Sequence, residues 1–126
     1  MPTPIVAGNW KMNTTLSEAV ALASEMRNAL DEITGGEKGL CPPLISLKAV
    51  RDAVNGTSIR IGAQNMHNEE KGAFTGEVSP GMLAELCEYV ILGHSERRQY
   101  FWETDEFINR KVRAAVAAGL KPILCV

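Results

Sequence analysis

The sequence predicts an α/β fold built on a parallel sheet, and two observations support this prediction. Short runs of mostly apolar, strand-like residues recur at 5–8, 37–41, 59–63, 89–92 and 122–126. Between them lie segments whose apolar residues recur at helical spacing. Strands that alternate with helices are typical of parallel βα units with right-handed crossovers. We therefore expect about four βα units and a fifth strand, in a single domain over residues 1–126.

Capping residues indicate where the helices begin and end. Thr15, with Glu18 three residues later, predicts the start of the first helix as a capping box. Two glycines at 35–36 predict its end. The second strand is the weakest element, because Gly39 loses side-chain packing and adds backbone freedom there. The predicted caps of later helical segments are Ser46, Ser79, Ser95 and Asp105.

Composition and charge limit the classes of partner. Apolar residues make up 45% of the chain, charged residues 22%, and the net charge is −2. This balance indicates neither a nucleic-acid partner nor a membrane partner. We see no leader and no apolar run near 18 residues, and so expect a cytoplasmic protein. Cys41, Cys87 and Cys125 are odd in number and lack C-x-x-C spacing, which favours free thiols over a metal site.

Two polar segments follow predicted strands directly. The residues Gly-His-Ser-Glu-Arg-Arg at 93–98 come after the fourth strand, and Asn9 and Lys11 come after the first. Ligands bind at the carboxyl ends of strands in parallel α/β folds. Taken singly, a histidine in such a place is more often bonded within the core, and a lysine is more often at the surface. Together they indicate a candidate ligand site, where a lysine ammonium would suit a phosphate or a developing oxyanion.

The two segments resemble the triosephosphate isomerase family, whose hallmarks are an A-G-N-W-K-M-N start and a G-H-S-E-R-R segment after the fourth strand. Further motifs of that family stand in order at 41–43, 62–65, 72–77 and 122–126. The resemblance covers the whole chain and implies a parallel TIM (β/α)8 barrel. Such barrels have roughly 250 residues, so this chain corresponds to the amino-terminal half.

The resemblance also implies an activity and the residues that carry it. The family interconverts dihydroxyacetone phosphate and glyceraldehyde 3-phosphate through an enediolate, without cofactor or metal. It implies that His94 donates a hydrogen bond to the substrate carbonyl and shuttles protons between the two oxygens. The resemblance assigns the positive charge of the site to Lys11 and a catalytic-site carboxylate to Glu96. It also assigns contacts with the triose phosphate to Asn9 and Ser95.

A long polar loop at 64–78 is a further candidate functional segment, because loops of that length are uncommon in compact domains. The resemblance implies that its tip, at Phe74 and Thr75, inserts into the neighbouring subunit of a homodimer. Glycines 72 and 76 are expected to allow the tight turns there. The residues expected to support the site are Gln64, Asn65, Glu77 and Arg97, the last two as an ion pair.

The family's carboxylate base, mobile lid and late phosphate-binding loops follow the fifth strand, and no residue here matches the motif of the base. We therefore expect the isolated chain to be inactive. The alternatives are a non-catalytic βα fragment that acts by self-association or weak anion binding, and a different sugar-phosphate enzyme on the same fold. Self-association is expected because strands one and five have unpaired edges.

Overall fold

Strands and helices alternate along residues 2–126, which a computed structural model describes as two units, one ending at Gln64 and the other running from Asn65 to Val126. The first unit contains β1 (Ile5–Asn9), α1 (Leu16–Asp31), β2 (Glu37–Cys41), a 3₁₀ turn (Leu44–Ser46), α2 (Leu47–Ala53) and β3 (Arg60–Ala63). The second contains α3 (Pro80–Ala84), β4 (Tyr89–Leu92), α4 (Ser95–Tyr100), α5 (Asp105–Ala117) and β5 (Lys121–Leu124). The predicted order of elements is confirmed; the expectation of a single domain stays a prediction.

In the first unit β2 lies between β1 and β3, and both pairings are parallel. Gly39 pairs with Ala7 on one side and with Arg60 on the other, so β2 forms a regular strand despite its glycine. A Cβ at Gly39 would lie 3.5 Å from Ala7 Cβ, which is ordinary van der Waals contact. The strand therefore tolerates this glycine and has room for a methyl group in its place.

The two ends of α1 are fixed by side chains. Thr15 Oγ1 accepts the Glu18 backbone N–H at 3.3 Å, so the predicted N-cap is confirmed. The Glu18 carboxylate accepts from the Thr15 hydroxyl at 2.9 Å, which differs from the backbone contact of a capping box. At the other end, Asp31 Oδ1 accepts the Ser58 backbone N–H at 2.7 Å. That bond, together with the Ser58 hydroxyl, holds the pKa of Asp31 below its ordinary value. The last turn of α1 is thereby tied to the segment that leads into β3.

The prediction that the Ser46 side chain caps α2 is wrong. Ser46 does precede the helix, but its φ and ψ are −106° and 0°, and its side chain makes no capping bond. The preceding 3₁₀ turn, closed by Ser46 N–H donating to Pro43 O at 2.9 Å, delivers the chain already in a helical conformation. Capping by a side chain needs an extended backbone at that position. Ser46 Oγ is instead buried without a hydrogen-bond partner among the described residues.

In the second unit all four residues of β4 are buried, and β4 pairs in parallel with β5 from Tyr89 opposite Lys121 onward. Ser79 caps α3 as predicted, by accepting the Met82 N–H. The prediction that Asp105 caps α5 is wrong, because Thr104 is extended and its Oγ1 accepts the Phe107 N–H at 3.2 Å. Asp105 is the first helical residue.

The first unit exposes apolar surface beside the edge of β1. Within that unit β1 pairs with β2 alone, and Val6, the second residue of the strand, is 75% exposed. A groove of about 470 Å³ runs along β1 and α1. Apolar side chains lining it are those of Pro4, Val6, Trp10, Met26, Leu30, Ile33 and Leu40. None of the described helices is long and apolar enough to cross a membrane.

We expect the chain to self-associate at micromolar concentration through the β1 edge. Burial of about 500 Å² of apolar surface there corresponds to roughly 12 kcal/mol before the costs of ordering and association. Val6→Lys places a charge on this edge and should shift the sedimentation distribution towards monomer. The matched control is Ile45→Lys, at an apolar residue that is 78% exposed in the 3₁₀ turn. A single monomeric wild-type species with cooperative unfolding would contradict this expectation.

Two glycines of the first unit should respond oppositely to a methyl group. Gly39→Ala should raise the free energy of unfolding by about 0.4–1 kcal/mol, because it fits in place and restricts the unfolded chain. Gly36→Ala should lower it, because its Cβ would lie 2.9 Å from the Pro4 carbonyl oxygen. Denaturant unfolding of the two variants measures the difference. Equal shifts in the same direction would show that local space does not decide the outcome.

Candidate functional site

A strained turn follows β1 in the first unit. Asn9, the last residue of β1, accepts the Lys11 backbone N–H on its Oδ1 at 2.9 Å. Lys11 has φ of +55°, a left-handed conformation that side-chain-bearing residues rarely adopt. Gln64, just past β3, donates from Nε2 to the carbonyls of Lys11 and Cys41, both at 2.9 Å. The Lys11 backbone is thus held by one hydrogen bond at its N–H and another at its carbonyl.

The left-handed backbone of Lys11 costs roughly 1–2 kcal/mol. Strain of this kind persists where surrounding contacts over-determine it, and it clusters at ligand sites. Gln64 supplies that support at the carboxyl ends of the strands, as expected for parallel sheets. The exposed Lys11 is therefore set in one conformation beside Asn9, with the amide Nδ2 of Asn9 left as the donor on that side chain.

In the second unit His94 directly precedes α4. Its Nδ1 accepts the Glu96 backbone N–H at 3.1 Å, so His94 itself is the N-cap. The prediction that Ser95 caps this turn is wrong, because Ser95 is already the first helical residue. A ring nitrogen that accepts a hydrogen bond carries no proton, so the imidazole here is neutral with its proton on Nε2. His94 is therefore set up as a hydrogen-bond donor through Nε2.

Glu96 lies beside this ring. Its Oε2 is 3.6 Å from His94 Nδ1, and its side chain is 42% exposed. Because the lone pair of Nδ1 already accepts a backbone N–H, the contact is neither a hydrogen bond nor an ion pair of this tautomer. The second unit thus brings His94, Ser95 and Glu96 together at the end of β4.

The predicted pair of Arg97 with Glu77 is wrong. Arg97 Nε donates to Glu103 Oε2 at 2.6 Å, and Lys111 Nζ donates to the same oxygen at 2.7 Å. Glu77 instead places a carboxylate oxygen 4.0 Å from His67 Nδ1. Arg97 lies close to Glu103 because the chain turns back directly after α4, where the Glu103 N–H donates to Arg97 O.

The Glu103–Lys111 pair is almost fully buried, with 2% and 1% of the two side chains exposed. Burial would raise the pKa of Glu103, but hydrogen bonds from Lys111 and Arg97 outweigh it and lower that pKa. Burial lowers the pKa of Lys111, and Glu103 offsets this only in part. Sequence reasoning missed both residues. One signal was present, since Lys111 lies at helical spacing from Ile108 and Ala115 on the buried face of α5.

The long loop is organised inside the second unit. Phe74 packs against His67 with 4.3 Å between ring centroids and 39° between the ring planes, and Glu77 N–H donates to Phe74 O at 3.0 Å. Gly72 has φ of +141°, and a Cβ there would lie 2.9 Å from the Phe74 ring. Gly76, at φ of +89°, allows the second tight turn. At the start of the loop, Asn65 Oδ1 accepts a hydrogen bond from Lys111 at 2.9 Å.

Comparisons with known proteins show the family to which the chain belongs. The family model described as triosephosphate isomerase matches residues 4–126. The chain belongs to the triosephosphate isomerase family. It is 59% identical over 122 residues to the triosephosphate isomerase of Dehalococcoides mccartyi, covering 97% of this chain and 49% of the relative. It is 55% identical over 127 residues to that of Herpetosiphon aurantiacus, covering 100% and 51%.

A solved structure extends the comparison to the fold. The crystal structure of triosephosphate isomerase from Bartonella henselae matches with a TM-score of 0.92 and 37% identity, covering 99% of this chain and 52% of that one. The predicted fold class, half of a parallel TIM (β/α)8 barrel, is confirmed. The chain spans about half the length of the curated triosephosphate isomerases that it matches.

The thiol of Cys41 is not activated, because burial raises its pKa to about 11. None of the three cysteines, all of them among the described residues, forms a disulfide bond. Residues 2–126 contain no group of three or more His, Cys, Asp or Glu placed to hold a metal ion.

Glu103→Gln should lower the free energy of unfolding by about 3–5 kcal/mol, because it leaves Lys111 buried without its carboxylate. The lowered pKa of Glu103 means that its contribution is present above its ordinary value of 4.5 and is lost as pH falls through the folded value. Wild-type stability should therefore fall more steeply in acid than that of the variant. Denaturant unfolding between neutral pH and the acid range measures both effects.

The matched control is Asp105→Asn, which removes a pair with Arg98 whose carboxylate side chain is 86% exposed. Exposed pairs contribute about 0–1 kcal/mol, so this change should be small. A Glu103→Gln effect no larger than that of the control would contradict the assignment of a buried, stabilising carboxylate.

Proposed function

We propose that this chain supplies half of the active site of a triosephosphate isomerase. The complete enzyme would interconvert dihydroxyacetone phosphate and glyceraldehyde 3-phosphate by proton transfer through an enediolate. The residues that we assign to the reaction are Asn9, Lys11, His94, Ser95 and Glu96. Family membership and the arrangement of these residues within each unit support the assignment.

One observation carries the proposal: His94 Nδ1 accepts the Glu96 backbone N–H at 3.1 Å. The proton must then be on Nε2, where it can be donated to a substrate carbonyl oxygen. Charge develops on that oxygen as the enediolate forms, so a fixed donor there stabilises the transition state more than the substrate. From the same position Nε2 can pass its proton to one enediolate oxygen and recover one from the other.

Lys11 and Asn9 are assigned to binding the anionic substrate. The Lys11 ammonium supplies a compact positive charge, suited to a phosphate or to the developing oxyanion. Asn9 uses Oδ1 to accept the Lys11 N–H, so Nδ2 is the group that it offers to the substrate. The strained backbone of Lys11 supports this role, because it fixes the direction in which the side chain leaves the turn.

The base that removes the proton next to the carbonyl is assigned to none of these residues. Glu96 lies beside His94 and keeps a supporting role, and we place the base in the half of the enzyme that follows in full-length relatives. We assign no metal or cofactor to the reaction. Glycolysis and gluconeogenesis in the cytoplasm are the setting that this activity would have.

We also propose a homodimer in which the tip of the long loop, at Phe74 and Thr75, enters the partner subunit. The tilted packing of Phe74 against His67 supports this, since it holds the loop tip in one conformation while Phe74 stays 44% exposed. A second candidate function is a non-catalytic fragment that acts by association alone. The exposed apolar edge at Val6 is the observation that favours it.

Complementation separates these two functions. The isolated chain should show no useful isomerase turnover, well below the roughly 10 s⁻¹ of an ordinary enzyme. Adding the carboxyl-terminal half of the Dehalococcoides mccartyi relative as a separate chain should restore activity in a coupled assay. His94→Ala should lower the restored kcat by at least about 100-fold, because it removes the donor at the developing oxyanion. Lys11→Ala should abolish the gain as well.

Lys48→Ala is the matched control, because Lys48 is an exposed lysine paired with Asp52 on α2. It should leave the restored activity unchanged. Equal activity of the His94→Ala complex would reject His94 as the electrophile. Binding of the two halves without any turnover would favour the association-only fragment.

A further inference from the structure

Arg98 makes three contacts that converge at the ends of two neighbouring strands. Its Nε donates to Gly93 O at 2.8 Å, and its Nη2 donates to Cys125 O at 3.2 Å. Its Nη1 lies 2.5 Å from Asp105 Oδ1. Gly93 is the first residue after β4, and Cys125 is the first residue after β5. One guanidinium therefore bridges the two strand ends next to His94.

Gly93 shows how closely the guanidinium approaches this turn. Its φ is +72°, and a Cβ there would lie 3.1 Å from Arg98 Nη2, 3.1 Å from Ile108 Cγ2 and 3.3 Å from Cys125 O. Both the left-handed backbone and the lack of space therefore require glycine at this position. The turn that leads into His94 is thus held between Ile108 on one side and the Arg98 guanidinium on the other.

We propose that Arg98 is the positioning residue of His94. By fixing the Gly93 carbonyl against the end of β5, its guanidinium sets the direction in which the chain enters α4. That direction lets His94 Nδ1 reach the Glu96 N–H and so selects the tautomer with the proton on Nε2. The positioning concerns this chain alone, whereas its meaning for catalysis rests on the proposed function.

The role suits arginine and not lysine. The guanidinium is a planar fork whose separate N–H groups reach two carbonyls and a carboxylate at once. An ammonium on a flexible stem keeps the charge but cannot hold the same set of acceptors in fixed directions. Arg98→Lys should therefore preserve the charge and lose the positioning.

The test reads the tautomer of His94 directly. The chain labelled with ¹⁵N-histidine contains two histidines, His67 and His94, and the His94→Gln variant assigns them. Magic-angle-spinning NMR measures the two ring nitrogens even if the chain associates. In the wild type the tautomer with the proton on Nε2 should predominate at His94, with a measurable ratio to the other. In Arg98→Lys the ratio of that tautomer to the other should fall about fivefold, as expected for loss of a single hydrogen bond.

Arg98→Ala tests the same point by chemical rescue. Millimolar guanidinium should restore the His94 tautomer ratio, and the same concentration of tetramethylammonium should not. Asp105→Asn is the control, because it removes the exposed contact of Arg98 and keeps both carbonyl contacts. It should leave the His94 tautomer ratio unchanged. The tautomer ratio of His67 should stay the same in every variant.

An unchanged His94 ratio in Arg98→Lys would overturn the proposal. A change of His67 together with His94 in both variants would also overturn it, since Arg98 would then only support the fold. In the complemented enzyme Arg98→Lys should lower kcat more than it raises KM. If the tautomer ratio shifts while His94→Ala leaves restored turnover intact, the positioning stands and the proposed function fails.

Discussion

The hydrogen bond from the Glu96 backbone to His94 Nδ1 is the interaction on which the site depends most directly. It satisfies a free N–H at the start of α4, and it also decides which imidazole nitrogen carries the proton. A structural need and a chemical property are therefore met by the same 3.1 Å contact. This contact forms only if the chain leaves β4 in one direction, and Gly93 with φ of +72° provides that direction.

A related device operates in the first unit. There the turn after β1 contains Lys11 in a left-handed conformation, and Gln64 donates to the carbonyls of Lys11 and Cys41. In both units a planar, multi-donor side chain binds carbonyls at or just past two strand ends. Gln64 and Arg98 thus hold backbone carbonyls where the strand ladders end. The side chains proposed to contact substrate are carried on backbone that these donors fix.

The buried Glu103–Lys111 pair has a different physical character. Removing two charges from water is costly, and the pair is stable in place because each partner satisfies the other. Arg97 and Asn65 join the same network, one from α4 and one from the start of the long loop. The orientations of α4 and of the long loop therefore depend on the same buried network of charged groups. Glu103 Oε1 has no hydrogen-bond partner among the described residues.

The sequence by itself determined the order of strands and helices, the caps at Thr15 and Ser79, and the segments that hold the candidate residues. These features rest on periodicity and on side chains that act within a few residues of themselves. Tertiary structure decided that Arg97 pairs with Glu103, that Lys111 is buried, and that His94 caps α4. An ion pair or a tautomer depends on which groups the fold brings within hydrogen-bond distance and at what angle. Spacing along the chain does not contain that information.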